Sequence, residues 1–153
     1  MSATHSKPRR LAAAVLNAAI EQDWPKTTRY LDRLNAECPG EGLTVALIGW
    51  CDTFAAHAND GIDGFQEIRL AGWDVDSGAI RSDDEAPKTQ RWAMDLIRAR
   101  AAGDATAFYA VVQRINDIPD GWERGRYVAA LIQSIALTIR SLPRGFARMG
   151  RLS

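Results

Sequence analysis

Apolar residues go most of the way round any helix drawn through Leu43–Ala58, LTVALIGWCDTFAAHA. Leu43, Val45, Ala46, Leu47, Ile48, Trp50, Cys51 and Phe54 keep to no single face. A helix of that kind is normally buried on nearly all sides. The run is interrupted by Asp52 and His57 and falls short of the roughly 20 apolar residues that a bilayer span needs. It therefore predicts a core helix and no membrane segment. The same pattern returns at Tyr127–Leu142, YVAALIQSIALTIRSL. Together the two stretches predict a pair of central helices on which the rest of the chain packs.

Around this pair the periodicity is amphipathic. Leu11, Val15, Ala18 and Ala19 share a face at helical spacing, predicting a first helix over about 7–22, with residues 1–6 expected to be disordered. Asp23 is an N-cap and Pro25 suits a first turn, so a second helix runs to about Glu37 and carries Tyr30, Leu31 and Leu34 until Pro39-Gly40 breaks it.

The second half repeats the plan. At an offset of 81, Arg10 meets Arg91, Ala12 meets Ala93, Ala18 meets Ala99, Asp23 meets Asp104, and Arg33 meets Arg114. At an offset of 84, Ala46-Leu47-Ile48 meets Ala130-Leu131-Ile132. A fourth helix is expected over 85–102, capped by Asp83 and closed by Gly103. A fifth follows from Asp104 to Asp117, with Phe108, Val111, Val112 and Ile115 on one face. A sixth begins after Pro119, where Asp120 and Glu123 form a capping-box pattern. The expected fold is all-α: six helices in two pseudo-symmetric three-helix units, 7–58 and 85–142, forming one domain. The alternation of alanine-rich helices resembles tetratricopeptide-like solenoids in general plan only. The period is not 34, the Trp-Leu-Gly-Tyr pattern is absent, and no family is assigned.

The long connection 59–84 interrupts the helices with four glycines and a run of acids. Residues 59–90 hold eight acids against three bases, while Arg144, Arg148 and Arg151, following Arg140, make the C-terminal tail 143–153 basic. Within the connection, Ile68, Leu70, Val75 and Ile80 suggest a short hairpin about Ala71-Gly72. A loop this long inside a compact domain is uncommon and tends to be functional or flexible.

Composition narrows the function classes without choosing one. The chain has 153 residues, 46% of them hydrophobic, and no net charge, so no overall charge argues for nucleic acid or membrane. Arginine outnumbers lysine 16 to 3, which reads as GC-rich coding rather than as chemistry. The two cysteines, Cys38 and Cys51, fit no metal or redox spacing. With no signal peptide pattern in Met1–Arg10, the expectation is a cytoplasmic, reduced protein.

Candidate chemistry is sparse. Asp74, Asp76 and Glu85 match positions 1, 3 and 12 of a calcium loop, but Gly78 and Ala79 fill positions that need an oxygen ligand and a glycine; the plainer reading is an acidic solvated loop. No metal, cofactor or catalytic set is assigned: His5 lies in the tail expected to be disordered, His57 could meet Thr53 one turn back but reads as a helix-end dipole partner, and no phosphate loop or nucleophile motif occurs. Asp52, on an apolar helix, is either a structural ion-pair partner or a buried functional acid. At the offset of 84 it meets Ala136, and Trp50 meets Ser134, so charge and bulk stand in one half only. Trp50 and Trp92 read as core, while Trp24 and Trp122 read as staples in first turns. Trp73, with Asp74 and Asp76 beside it, is an interface-anchor candidate. Arg144, Arg148, Arg151 and Phe146 form either a nucleic-acid arm or a segment that docks on a protein surface. The function expected is a non-enzymatic protein–protein interaction module, with a homodimer as one partner arrangement. A nucleic-acid accessory factor, and a ligand or hydrolytic pocket around Asp52 and Trp50, are the alternatives.

Overall fold

A computed structural model describes residues 3–59, 72–73, 80–81 and 87–146. Among the described residues the fold is helical, with six helices: α1 (Ala3–Ile20), α2 (Trp24–Glu37), α3 (Glu41–Ala58), α4 (Lys88–Ala101), α5 (Ala105–Asn116) and α6 (Gly121–Ser141). The one extended pairing among the described residues is a two-residue antiparallel ladder, Gly72 with Arg81 and Trp73 with Ile80. Gly72 is thus a paired strand residue and not the turn of the hairpin expected about Ala71-Gly72. α1 starts at Ala3, ahead of Lys7, and takes in Pro8. α4 starts at Lys88 instead of Glu85, with Pro87 as its N-cap residue in an extended conformation, φ −55° and ψ 152°. The proline ring disfavours helical backbone at the residue before it.

The α1–α2 and α4–α5 corners are built alike. At the first, Gln22 takes φ 62°; at the second, Gly103 takes φ 71°. Asp23 N–H donates to Ala18 O and Gln22 N–H to Ala19 O; Asp104 N–H donates to Ala99 O and Gly103 N–H to Arg100 O. This is the Schellman pattern, in which a left-handed residue satisfies the last carbonyls of a helix. Asp23 and Asp104 then each start the next helix, accepting from Lys26 N–H at 3.1 Å and Ala107 N–H at 3.0 Å. Gln22 does with a side chain what Gly103 does without one.

Cross-contacts give the helix directions. Gly42 sits by Pro8 and the Trp50 indole N–H donates to Ala12 O at 2.8 Å, so α1 and α3 run parallel. Trp92 packs edge-on to Tyr127, which aligns α4 with α6. Arg100 reaches Asp52, and Arg140 reaches Ile20 O, bringing the C-terminal ends of α3 with α4 and of α6 with α1 together. α1, α3, α4 and α6 thus form a ring of parallel helices, α1 against α3 and α6, α4 against α3 and α6, with α3 and α6 touching more lightly across it. α2 returns along α1, and α5 along α4. Since α3 and α4 are parallel neighbours, Asn59 and Pro87 stand at opposite ends of the bundle. A helix length, roughly 21–27 Å at 1.5 Å per residue, separates those two residues.

The core is one cluster that includes Val15, Leu34, Leu47, Trp50, Trp92, Leu96, Ile115, Leu131 and Ile135. α3 and α6 supply much of it, yet neither is enclosed all round. On α3, Val45, Ile48 and Gly49 are half-buried and Asp52 and Thr53 exposed; on α6, Trp122, Arg126 and Gln133 are exposed. The low amphipathicity of α3 arises because its outward stripe, apart from Asp52, is made of small and aliphatic residues, not because that stripe is covered.

Candidate functional site

Asp52 lies on the outward stripe of α3 and its side chain is 50% exposed. It is not a buried acid. Arg100, in the last turn of α4, donates from Nε to Oδ1 at 2.7 Å and from Nη2 to Oδ2 at 3.2 Å. The bidentate bond raises the Arg100 pKa further and ties two parallel helices together. The neighbouring Cys51 thiol is buried, and burial, helped by the Asp52 charge, pushes its pKa up. A thiol held neutral is a core group and a poor nucleophile. Trp50 is likewise core, with its N–H satisfied.

Beside the ion pair a cleft of about 70 Å³ opens between α3, α4 and α5, lined by Ile48, Arg100, Asp104, Phe108 and Tyr109 among others. Small-molecule sites run to about 300–1,000 Å³, so this cleft holds little more than a few atoms. Asp52 does not line it. A wider groove of about 480 Å³ follows the outer face of α2 past Arg29, Asp32 and Arg33, with lining from that helix alone. Among the described residues no group of three metal-ligating side chains converges, and no helix is long and apolar enough to cross a membrane.

Residues 142–146 fold back on the protein itself. After α6 ends, Gly145 takes φ 80° and donates its N–H to His57 O at 2.7 Å. The buried His57 ring donates from Nε2 to Leu142 O at 2.8 Å. Phe146 then packs edge-on against Phe54 at 6.1 Å and lies 6.2 Å from the His57 ring. His57, read in sequence as a helix-end residue without a partner, is the pin of this clasp. Arg144 donates to Ala56 O at 3.5 Å, and Arg140 to Ile20 O. Four parallel helices point their negative C-terminal ends the same way, and arginines there offset the summed partial charge. Two of the tail-region arginines thus have a structural use at helix ends, and the Phe146 ring is engaged within the chain.

Trp122 is the residue whose sequence reading is overturned. It was expected to staple the start of α6, but the residue is 81% exposed; Asp120 caps the helix by accepting from Trp122 N–H at 3.0 Å. Trp24 is 43% exposed. Trp92 is buried, its indole N–H donating to Val111 O at 2.8 Å. Of the other candidates, the backbone of Trp73 lies in the short ladder, and Asp74, Asp76, Glu85, Arg148 and Arg151 lie outside the described residues.

Comparison with protein-family models, with curated proteins and with solved structures finds no match to this chain.

Proposed function

We propose that this protein is a non-enzymatic helical interaction module that associates with itself. The observation that carries the reading is Trp122, a tryptophan 81% exposed on a helix of the bundle. Tryptophan is the side chain whose burial at an interface contributes most often and most strongly to binding. Covering so large an apolar surface with a partner gains burial free energy. The basic tail and the acidic connection provide charges of opposite sign on one chain, which favours pairing between copies. The reading extends to a cytoplasmic setting and to residues 7–142 as one domain with a basic tail after it.

The two three-helix units are proposed to descend from a duplication. Supporting this are the matching corners at Gln22-Asp23 and Gly103-Asp104, and a pattern of helix contacts unchanged when α1, α2 and α3 exchange with α4, α5 and α6. In the third helix of each unit the burial phases agree at an offset of 85, not 84: Ala46, Leu47, Trp50 and Cys51 fall on Leu131, Ile132, Ile135 and Ala136, all buried. On that alignment Asp52 corresponds to Leu137, both on outward stripes, so the comparison with Ala136 does not mark a buried site.

Light scattering tests the function. The expected result is a mass above 16.8 kDa that rises with concentration and falls partly in high salt. A monomer mass at high concentration overturns the reading.

A further inference from the structure

We infer that the groove between α1 and α6 binds single-stranded nucleic acid, with arginines on both of its walls and the exposed Trp122 at one end. On α6, Trp122 and Arg140 are separated by roughly five full helical turns, so they share one line along the helix. Arg140 donates to Ile20 O at the end of α1, which sets that line on the α1 side of α6. Arg126 and Gln133, both exposed, lie within about 40° of the same line.

The opposite wall comes from α1. Lys7 pairs with Glu37 of α2, and Pro8 sits by Gly42 of α3. Each residue turns a helix by about 100°, so the exposed Arg9 comes round to the third neighbour of α1, which is α6. The two helices run parallel with Ile20 beside Arg140, which puts Ser6 level with Arg126 and Arg9 level with Ala129. Along the groove the order is Trp122, Arg126, Arg9, Arg140, over about 27 Å.

The charges along the groove are of one sign. α1 contains no acid from Ala3 to Ile20. Glu123 stands one turn before Tyr127, which packs on Trp92, and so belongs to the α4 side of α6. Asp120 is engaged as the cap, and Glu21 follows α1 beyond its Arg140 end. Other described faces mix signs: Asp32 and Glu37 stand among arginines on α2, and Asp52 and Asp95 pair with arginines across α3, α4 and α5. Arg9 and Arg126 have no acid partner among the described residues. Proteins hold single strands in positive grooves that follow the phosphates, with aromatic rings on which bases stack. Guanidinium groups suit phosphate because they donate two parallel bonds, and Trp122, one turn before Arg126, supplies the ring. The zero net charge of the chain does not oppose this, since a local field of one sign attracts the strand. The inference does not depend on self-association; where copies meet through Trp122, a bound strand is expected to part them.

Fluorescence anisotropy of a labelled oligothymidylate of about 15 nucleotides, titrated with the full chain at low salt, tests the groove. Binding is expected, and Trp122→Ala should weaken it at least about fivefold. Arg9→Gln and Arg126→Gln should each lower the slope of log Kd against log salt by about 0.7, the share of one phosphate contact on a single strand. Arg29→Gln, on the exposed face of α2, should change neither quantity. All four positions are exposed, so circular dichroism should report one fold throughout. Absence of binding overturns the inference. So does binding that Trp122→Ala, or both groove arginine variants, leave unchanged, whether or not removal of residues 143–153 abolishes it. Polyglutamate bound as tightly as the oligonucleotide also overturns it and assigns the face to an acidic protein. The light-scattering mass of the protein alone decides self-association separately.

Discussion

Arg100 grips Asp52 with two nitrogens, at 2.7 and 3.2 Å, across the outer face between α3 and α4. The pair joins helices separated by the longest connection in the chain, and it does so at the C-terminal end of both. Its half-exposed position limits its strength. Asp52→Asn is expected to lower unfolding free energy by no more than about 1 kcal/mol. Urea titration checks this; a loss of several kcal/mol would mean that Asp52 is a buried acid after all.

The clasp at residues 142–146 should matter more. Ending the chain at Leu142 removes the Phe146 ring from Phe54 and leaves His57 O without the Gly145 N–H. A half-buried aromatic and one hydrogen bond together are worth about 2–3 kcal/mol. The truncated protein should melt several degrees lower, and Phe146→Leu should recover part of the difference. An unchanged melting temperature would show that the tail does not dock.

Two glycines in α3 should respond in opposite directions. A Cβ on Gly42 would lie 2.5 Å from Cys38 Cβ, whereas a Cβ on Gly49 meets nothing within 4 Å. Gly42→Ala is expected to destabilise by about 1–3 kcal/mol through forced separation of α3 from the α2 C-terminus. Gly49→Ala is expected to stabilise by about 0.5–1 kcal/mol by removing glycine from a helix interior. Denaturation midpoints decide the signs.

The α1–α2 pair is held by Glu37, which accepts from Arg33 Nε at 2.8 Å and pairs with Lys7 Nζ at 2.8 Å. Those partners, Arg33 first and then Lys7, lower the Glu37 pKa to about 2. The folded pKa lies below the unfolded value. Its stabilisation is therefore present above about pH 4.5 and is lost as pH falls toward 2. Glu37→Gln should remove that part of the acid-limb pH dependence. The effect should be modest and reduced by salt, because the group is exposed; an acid limb identical to wild type would mean that the ion pairs do not form in solution.

Local signals in the chain determined the six helices, their approximate ends, the aspartate caps at positions 23, 104 and 120, and the buried faces centred on Trp50, Trp92 and Leu131. Capping, glycine breaks and apolar periodicity act within a few residues, so a linear pattern records them. They also displayed the two like corners, Gln22-Asp23 and Gly103-Asp104.

Only the tertiary structure decided what faces outward. An apolar residue looks alike in sequence whether it is enclosed or lies on a stripe, so Trp122 read as a staple and α3 as a fully buried rod. Likewise the offset of 84 set Asp52 against Ala136, yet Asp52 is exposed and Ala136 buried; a one-residue change turns a helix by about 100° and moves a side chain from core to surface. The pairing of Arg100 with Asp52, and of His57 with Leu142 and Gly145, joins residues 48 and 85–88 positions apart. Contacts at that separation depend on helix direction and packing, which no local pattern encodes.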